Sequence, residues 1–127
     1  MILKVLSEVY SISKAETLSH LPSLTPNTFL AVTAEEISLV CPETQVPEHV
    51  LCREDGWRGF YIAGELDFSL IGILAKISAI LAGEGIGIFV VSTFNTDYVF
   101  VKQENFPSAL AALSENGYEI QDLSRSC

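Results

Sequence analysis

The sequence predicts an α+β fold of two ferredoxin-like βαββαβ modules, the first with a reduced or missing first helix. From residue 57 onward, hydrophobic patterns follow the order strand, helix, strand, strand, helix, strand. Residues 1–56 follow a similar order, but the stretch from Ser11 to Pro26 contains two prolines and little apolar periodicity, which disfavours a helix there. We therefore predict a degenerate N-terminal module over residues 1–56 and a complete C-terminal module over residues 57–127.

The clearest single element is an amphipathic helix that begins near Ile71 and ends at Gly83 to Gly85. Its apolar residues recur at helical spacing and are Ile73, Leu74, Ile77, Ile80 and Leu81. The glycines predict the helix end, because a glycine adopts the left-handed conformation without a Cβ clash. Two strands, 86–91 and 98–101, are predicted to follow as a hairpin around the polar residues 92–97.

The remaining elements of the C-terminal module have equally local signals. A strand over 57–63 precedes the first helix, and a last strand over 118–123 closes the module. The second helix is indicated by Asn105 near the cap position, Pro107 in the first turn and Gly117 at the end.

The first half has weaker patterns in a similar order. Residues 2–10 alternate like one strand, and residues 28–33 and 37–41 predict a hairpin across 34–36. Residues 46–51 predict one short helical turn. We find no sequence identity between the halves that indicates a repeat, only a similar order of elements.

Composition excludes several classes of protein. The chain has 127 residues, of which 49% are hydrophobic, so it can bury a core without disulfides or metal. Its formal charge of −9 disfavours nucleic acid and anionic membranes, which bind mainly to lysine and arginine. The longest apolar run, 68–82, is interrupted by Lys76 and is shorter than the ~20 residues that cross a bilayer.

The cysteines and the N-terminal segment predict a cytoplasmic protein. Cys41, Cys52 and Cys127 are odd in number, as expected in a reducing compartment. The first residues alternate like a strand and lack a basic region followed by an apolar block, so no secretory signal is predicted.

Three segments resemble small tandem ACT-domain proteins, which are related to the ACT regions of aspartate kinases and cytosolic arginine sensors. They are EEISLVCPE (35–43), EDGWRGFYIAGELDF (54–68) and STFNTD (92–97). Gly72-Ile73 at the helix start and Gly85-Ile86 before the next strand add to the resemblance. The resemblance implies a regulatory homodimer that binds a free amino acid at a module or dimer interface and has no catalytic activity. It also implies an unidentified effector protein, because a sensor without an attached enzyme acts on something else.

The residues themselves supply part of a binding site for an amino acid. Backbone N–H groups at a helix start have no intrahelical partner and favour the ligand carboxylate. The hairpin end supplies hydroxyl, amide and carboxylate groups, and Asp97 suits the ligand ammonium. The predicted ligand-binding residues are Phe68, Ser69, Leu70, Ile71, Gly72, Ile73, Ser92, Thr93, Phe94, Asn95, Thr96 and Asp97.

Each of these roles has a structural alternative. Asp97 and Asn95 suit a turn in which each bonds its own backbone. Ser69 suits the helix N-cap, and Phe68 suits a hydrophobic core. For the whole chain, the alternative function is a ligand-free dimerisation or interaction module or, with less support, a small enzyme.

The sequence predicts neither a metal site nor a cofactor. The residues with suitable chemistry are His20, Glu35, Glu36, Cys41, His49 and Cys52. They lack the paired spacing of metal ligands and form no recognisable catalytic constellation. We therefore predict that the chain is not an enzyme.

Overall fold

The structure, a computed structural model, describes residues 1–64 and 72–122. Residue contacts divide the chain into two compact units. Unit 1 consists of Met1–Ser7 and Arg58–Cys127, and unit 2 consists of Glu8–Trp57. In the described part of the chain, no helix is long and apolar enough to cross a membrane.

The described elements are eight strands and two α-helices, together with three short 3₁₀ turns. The strands are β1 (Ile2–Val5), β2 (Tyr10–Ala15), β3 (Phe29–Val32), β4 (Ile37–Pro42), β5 (Val50–Ile62), β6 (Phe89–Ser92), β7 (Asp97–Lys102) and β8 (Glu119–Gln121). The helices are α1 (Ile73–Gly83) and α2 (Phe106–Glu115). The 3₁₀ turns are Leu18–His20, Glu43–Gln45 and Gln103–Asn105.

Unit 2 is an antiparallel sheet in the order β3-β4-β2-β5, to which β5 contributes its first part. All of residues 8–57 are described, and they contain no α-helix. The predicted hairpin is confirmed as β3 and β4. Its core includes Leu39, Val40 and Cys41, which are almost fully buried.

Unit 1 has the strand order β6-β7-β5-β1-β8, and β1 is antiparallel to β5 but parallel to β8. The two helices cover one face of this sheet, which we call the helix face. Leu3, Phe60, Ile62, Val99 and Val101 point toward the helices and form the core with them. Because side chains alternate along a strand, the residues between them lie on the opposite face. The predicted α+β, ferredoxin-like fold class is confirmed.

The prediction of one strand over 2–10 is wrong. The segment forms β1 and β2 as separate strands, and β1 belongs to unit 1. Leu3 pairs with Ile62 and is fully buried in the core of that unit. Apolar and polar residues alternate through both strands. This alternation does not reveal that β1 and β2 pair with different sets of strands. The division into modules at residue 56 stays a prediction.

Three other boundaries differ from the predicted ones. The helical turn lies at Glu43–Gln45 rather than at 46–51, because Val50 already begins β5. The predicted strand 57–63 is therefore the end of a strand of 13 residues. The strand predicted over 86–91 begins only at Phe89, because the Ile86 N–H still donates to the Leu81 carbonyl, at 3.0 Å, and completes the end of α1.

The two hairpins repeat with a constant offset, which the sequence comparison did not reveal. Phe29–Val32 and Phe89–Ser92 are offset by 60 residues, and so are Ile37–Pro42 and Asp97–Lys102. Each second strand leads into a 3₁₀ turn through a residue of nearly equal backbone angles, φ −53° and ψ 143° in one hairpin and φ −59° and ψ 140° in the other. The two hairpins therefore share both their order of elements and the backbone geometry at the end of their second strands.

Candidate functional site

Threonines close the hairpin turn between β6 and β7. The Thr93 N–H and the Thr93 hydroxyl each donate to the Thr96 carbonyl at 2.8 Å. The Thr96 N–H donates back to Thr93 Oγ1 at 3.3 Å. Within the described residues, the side chains of Asn95 and Asp97 make no hydrogen bond to this turn. The turn is therefore capped by the Thr93 side chain, and not by Asn95 and Asp97 as the structural alternative predicts.

Thr96 ties the turn to the end of β5. Its hydroxyl donates to the Ile62 carbonyl at 2.7 Å, and the residue is buried. A buried hydroxyl with this partner has a structural role, although Thr96 is among the predicted ligand-binding residues. This bond holds the hairpin turn against the end of β5.

Ser92 and Asp97 are direct cross-strand partners where the hairpin ends. Alternation puts them on the same side of their strands as Val90 and Val99, which belong to the helix face. In the described part of the chain, no hydrogen bond or ion pair engages the Asp97 carboxylate. Its charge is therefore available to a cation at this position.

The start of α1 lies on that same face. Gly72 is the N-cap residue, with φ 84° and ψ 3° in the left-handed region, which favours glycine. The described helix begins at Ile73. The predicted N-cap Ser69 and the predicted helix start near Ile71 lie outside the described residues. Ile73 packs against the core, and a Cβ built on Gly72 would meet no described atom within 4 Å. The first N–H groups of α1 have no intrahelical acceptor.

The predicted ligand-binding residues thus divide into three sets. Gly72, Ile73, Ser92 and Asp97 belong to the helix start and the hairpin end. The turn residues 93–96 line a groove instead. Residues 68–71 lie outside the described residues.

The groove lies on the sheet face opposite the helices and has a volume of about 490 Å³. In the described part of the chain it is lined by Lys4, Tyr61, Tyr98 and the turn 93–96, together with Ala63 and Gly64. The Tyr61 and Tyr98 rings are 5.1 Å apart between centroids and tilted by 32°. Burial raises the pKa of the Tyr98 hydroxyl, and the neighbouring Tyr61 adds to the rise.

Sequence reasoning did not predict Lys4, Tyr61 and Tyr98 as lining residues. They come from β1, β5 and β7, which are distant in sequence, and Lys4 pairs with Tyr61 across the strands. Alternation within each strand indicates that they avoid the core. No local pattern indicates that they share one face of one sheet.

Of the two described cysteines, Cys41 does not have the lowered thiol pKa of a catalytic nucleophile. Burial raises the pKa of the Cys41 thiol to about 11, against a smaller opposing effect of the Arg53 charge. Cys52 is exposed and free. Among the described residues, no group of three or more His, Cys, Asp or Glu side chains is placed to hold a metal ion.

The ACT-domain family model matches residues 53–115. These residues contain the end of β5, both helices and the hairpin with its turn. The chain carries an ACT domain. The match includes all four described residues at the helix start and the hairpin end, so the candidate site lies inside the ACT domain.

Solved structures resemble this ACT-domain chain over most of its length. A protein from Agobacterium tumefaciens is 28% identical, with 95% of this chain and 92% of that chain covered and a TM-score of 0.83. A Vibrio cholerae protein of unknown function, described as a possible transport protein, is 22% identical, with 89% and 87% covered and a TM-score of 0.65. The ligand-free regulatory subunit of aspartate kinase from Thermus thermophilus is 12% identical, with 89% and 95% covered and a TM-score of 0.62. The last two likenesses show the fold alone. A search of curated proteins found no match.

Proposed function

We propose that this chain is a regulatory protein that binds a free amino acid and has no catalytic activity. The ligand lies where the start of α1 meets the end of the β6–β7 hairpin. The observation that carries the proposal is the Asp97 carboxylate, which has no partner among the described residues and lies on the same sheet face as the helix start. The ACT domain and the regulatory subunit with the same fold support it.

The chemistry of the two groups matches the two charges of an amino acid. The N–H groups at the start of α1 and the positive end of the helix dipole favour the ligand carboxylate. Asp97 accepts hydrogen bonds from the ligand ammonium, and Ser92 offers a hydroxyl beside it. Gly72 has no side chain, so the ligand carboxylate can approach the backbone there.

The expected affinity lies in a range that suits a sensor. Hydrogen bonds to charged groups contribute about 1.5–3 kcal/mol each. Two or three of them, together with burial of the ligand side chain and after the cost of ordering the ligand, give about 6–8 kcal/mol, which corresponds to a dissociation constant between about 1 µM and tens of micromolar. The site therefore needs no metal and no covalent step.

Unit 2 lacks both parts of this site. With the offset of 60 residues, the position of Asp97 is occupied by Ile37, which cannot pair with an ammonium. Residues 8–57 contain no α-helix whose start would hold a carboxylate. We therefore propose one amino-acid site per chain, in unit 1. A homodimer, an effector protein and a cytoplasmic location stay predictions.

A ligand-free interaction module is the second candidate, and exposed apolar side chains of unit 2 favour it. Leu18, Leu24, Val32 and Leu51 are each more than half exposed. Side chains of this kind lose water when a partner covers them. This candidate needs no carboxylate at Asp97, so the same experiment separates the two functions.

The test is thermal unfolding of the chain with each of the twenty amino acids at about 5 mM, because a ligand that prefers the folded state raises Tm. We expect one amino acid or a related group to raise Tm by at least ~2 °C. Asp97→Asn keeps the shape of the side chain and is expected to abolish the shift. Glu119→Gln, on an exposed strand position, is the control and keeps it. No shift with any amino acid, in a chain that melts cooperatively, favours the interaction module.

A further inference from the structure

The groove on the face opposite the helices has a floor made by three neighbouring strands. Lys4 on β1 is paired in register with Tyr61 on β5, and the Tyr61 ring contacts the Tyr98 ring on β7. The three side chains therefore form a row across the sheet, with an ammonium at one end and two phenol rings beside it. The turn 93–96 forms a wall of the groove.

The row combines a positive charge with an aromatic surface. Lys4 is the one charged side chain among the described lining residues, and it makes no hydrogen bond or ion pair within the described part of the chain. Both tyrosines are only partly buried, so part of each ring is accessible. In a chain of net charge −9, this lysine gives the groove a local positive charge.

We infer that this groove is a second small-molecule site, separate from the amino-acid site, and that it binds planar aromatic carboxylates. The carboxylate accepts hydrogen bonds from Lys4 Nζ. The aromatic part of the ligand packs on Tyr61 and Tyr98, since aromatic rings attract one another in offset and tilted arrangements. The volume of about 490 Å³ holds a ligand of one or two fused rings.

The groove and the proposed amino-acid site differ in the charge that they select. Asp97 and Ser92 lie on the helix face, whereas Lys4 and the two tyrosines lie on the other face. A ligand with an ammonium gains nothing from Lys4, and a ligand with only a carboxylate gains nothing from Asp97. The two sites can therefore be tested separately in the same chain.

The experiment is a titration of the full chain with 2-naphthoate, followed by amide and side-chain NMR and by calorimetry. We expect saturable shifts at Lys4, Tyr61 and Tyr98, and binding that weakens as salt is added. The neutral 2-naphthamide and the non-planar cyclohexanecarboxylate are the matched probes for charge and for planarity. Each is expected to bind at least about fivefold more weakly, because each lacks one of the two recognised features.

Two variants test the assigned residues. Lys4→Gln is expected to weaken 2-naphthoate binding at least about fivefold, whereas Lys14→Gln, an exposed lysine on β2, leaves it unchanged. Tyr98→Phe keeps the ring and is expected to bind within about twofold of the unchanged chain, while Tyr98→Leu loses binding. Asp97→Asn leaves 2-naphthoate binding intact even where it abolishes the response to amino acids.

Several results would overturn the inference. They are the absence of saturable shifts at the three residues, equal binding of the carboxylate and the amide, and unchanged binding by a folded Lys4→Gln chain. The NMR map and the probe series use the unchanged chain, so they decide the question even where a variant fails to fold.

Discussion

At the scale of single residues, Gly59 on β5 lies against the Phe100 ring. A Cβ built there would lie 2.6 Å from the Phe100 ring, which is fully buried. We predict that Gly59→Ala lowers the free energy of unfolding by about 1–3 kcal/mol, as overpacking of a core does. Denaturant unfolding measures the change.

Gly87 is the matched control for that substitution. Its added Cβ meets nothing within 4 Å among the described atoms, and its φ is not in the left-handed region. Gly87→Ala is expected to change stability by less than about 0.5 kcal/mol. Equal effects at the two glycines would show that Phe100 does not confine Gly59.

Cys41 and Cys52 are predicted to differ in reactivity. The Cys41 thiol is fully buried, and burial raises its pKa to about 11, so the reactive thiolate is scarce at pH 8. In a Cys127→Ser background, a thiol reagent is expected to modify Cys52 at once and Cys41 only on unfolding. Rapid modification of two thiols in the native chain would contradict this burial.

The same thiol gives a pH dependence of stability. Its pKa is 9.0 ordinarily and about 11 in the folded chain, so the folded state holds the proton more tightly. This contribution to stability is complete below pH 9 and is lost as the pH rises toward 11. Cys41→Ser is expected to reduce that loss in unfolding curves measured across this range.

At the scale of elements, β1 holds unit 1 together although it is only four residues long. Leu3 lies between β5 and β8 and is fully buried. We predict that Leu3→Ala costs about 2–5 kcal/mol of stability, because it leaves a cavity in the core. Leu24→Ala, at a leucine that is 63% exposed, is the control and is expected to cost little. Similar small costs at both leucines would contradict the placement of β1 in the core.

The sequence predicted best those elements whose pattern lies within a single short segment. The helices α1 and α2 have apolar positions at helical spacing and stop at glycines, and the hairpins alternate around polar turns. Residues 2–10 were predicted as one strand rather than as β1 and the start of β2, because alternation specifies a buried face but not the strand that pairs with each part. The 13-residue length of β5 was missed because the exposed polar residues Arg53, Glu54 and Asp55 interrupt its apolar pattern.

The candidate site was predicted only in part for the same physical reason. Asp97 was chosen by its chemistry, and the structure leaves its carboxylate without a partner in the described residues. The Thr93 hydroxyl donates within the turn itself, and the Thr96 hydroxyl donates to the Ile62 carbonyl of β5. Lys4 and Tyr61 meet Tyr98 through strand pairing over long sequence separations, which no pattern within a single segment reveals.

At the scale of the whole molecule, the 60-residue offset relates one hairpin in each unit. Thr33 closes the first turn as Thr93 closes the second, since the Thr33 N–H donates to the Glu36 carbonyl at 2.9 Å and its hydroxyl does so at 3.3 Å. The residue that follows each turn differs, with Ile37 in one hairpin and Asp97 in the other. The two hairpins thus share their geometry but differ in chemistry, and we propose that only the hairpin of unit 1 contributes to an amino-acid site.

The net charge of −9 acts on ligand choice over a longer range than any single residue. It favours cationic or zwitterionic ligands and disfavours free aspartate and glutamate. A carboxylate that binds to this chain therefore needs a local positive group. The helix start provides one on the helix face, and Lys4 provides the other on the opposite face.

The central claim is that an amino acid binds where α1 begins and the β6–β7 hairpin ends. NMR titration of the chain with the twenty amino acids tests it most directly, because each amide reports its own surroundings. The account predicts that at least one amino acid produces saturable shifts centred on Gly72, Ile73, Ser92 and Asp97, with one ligand bound per chain. If no amino acid shifts these four amides, or if the shifts of those that bind are centred elsewhere, the claim is contradicted.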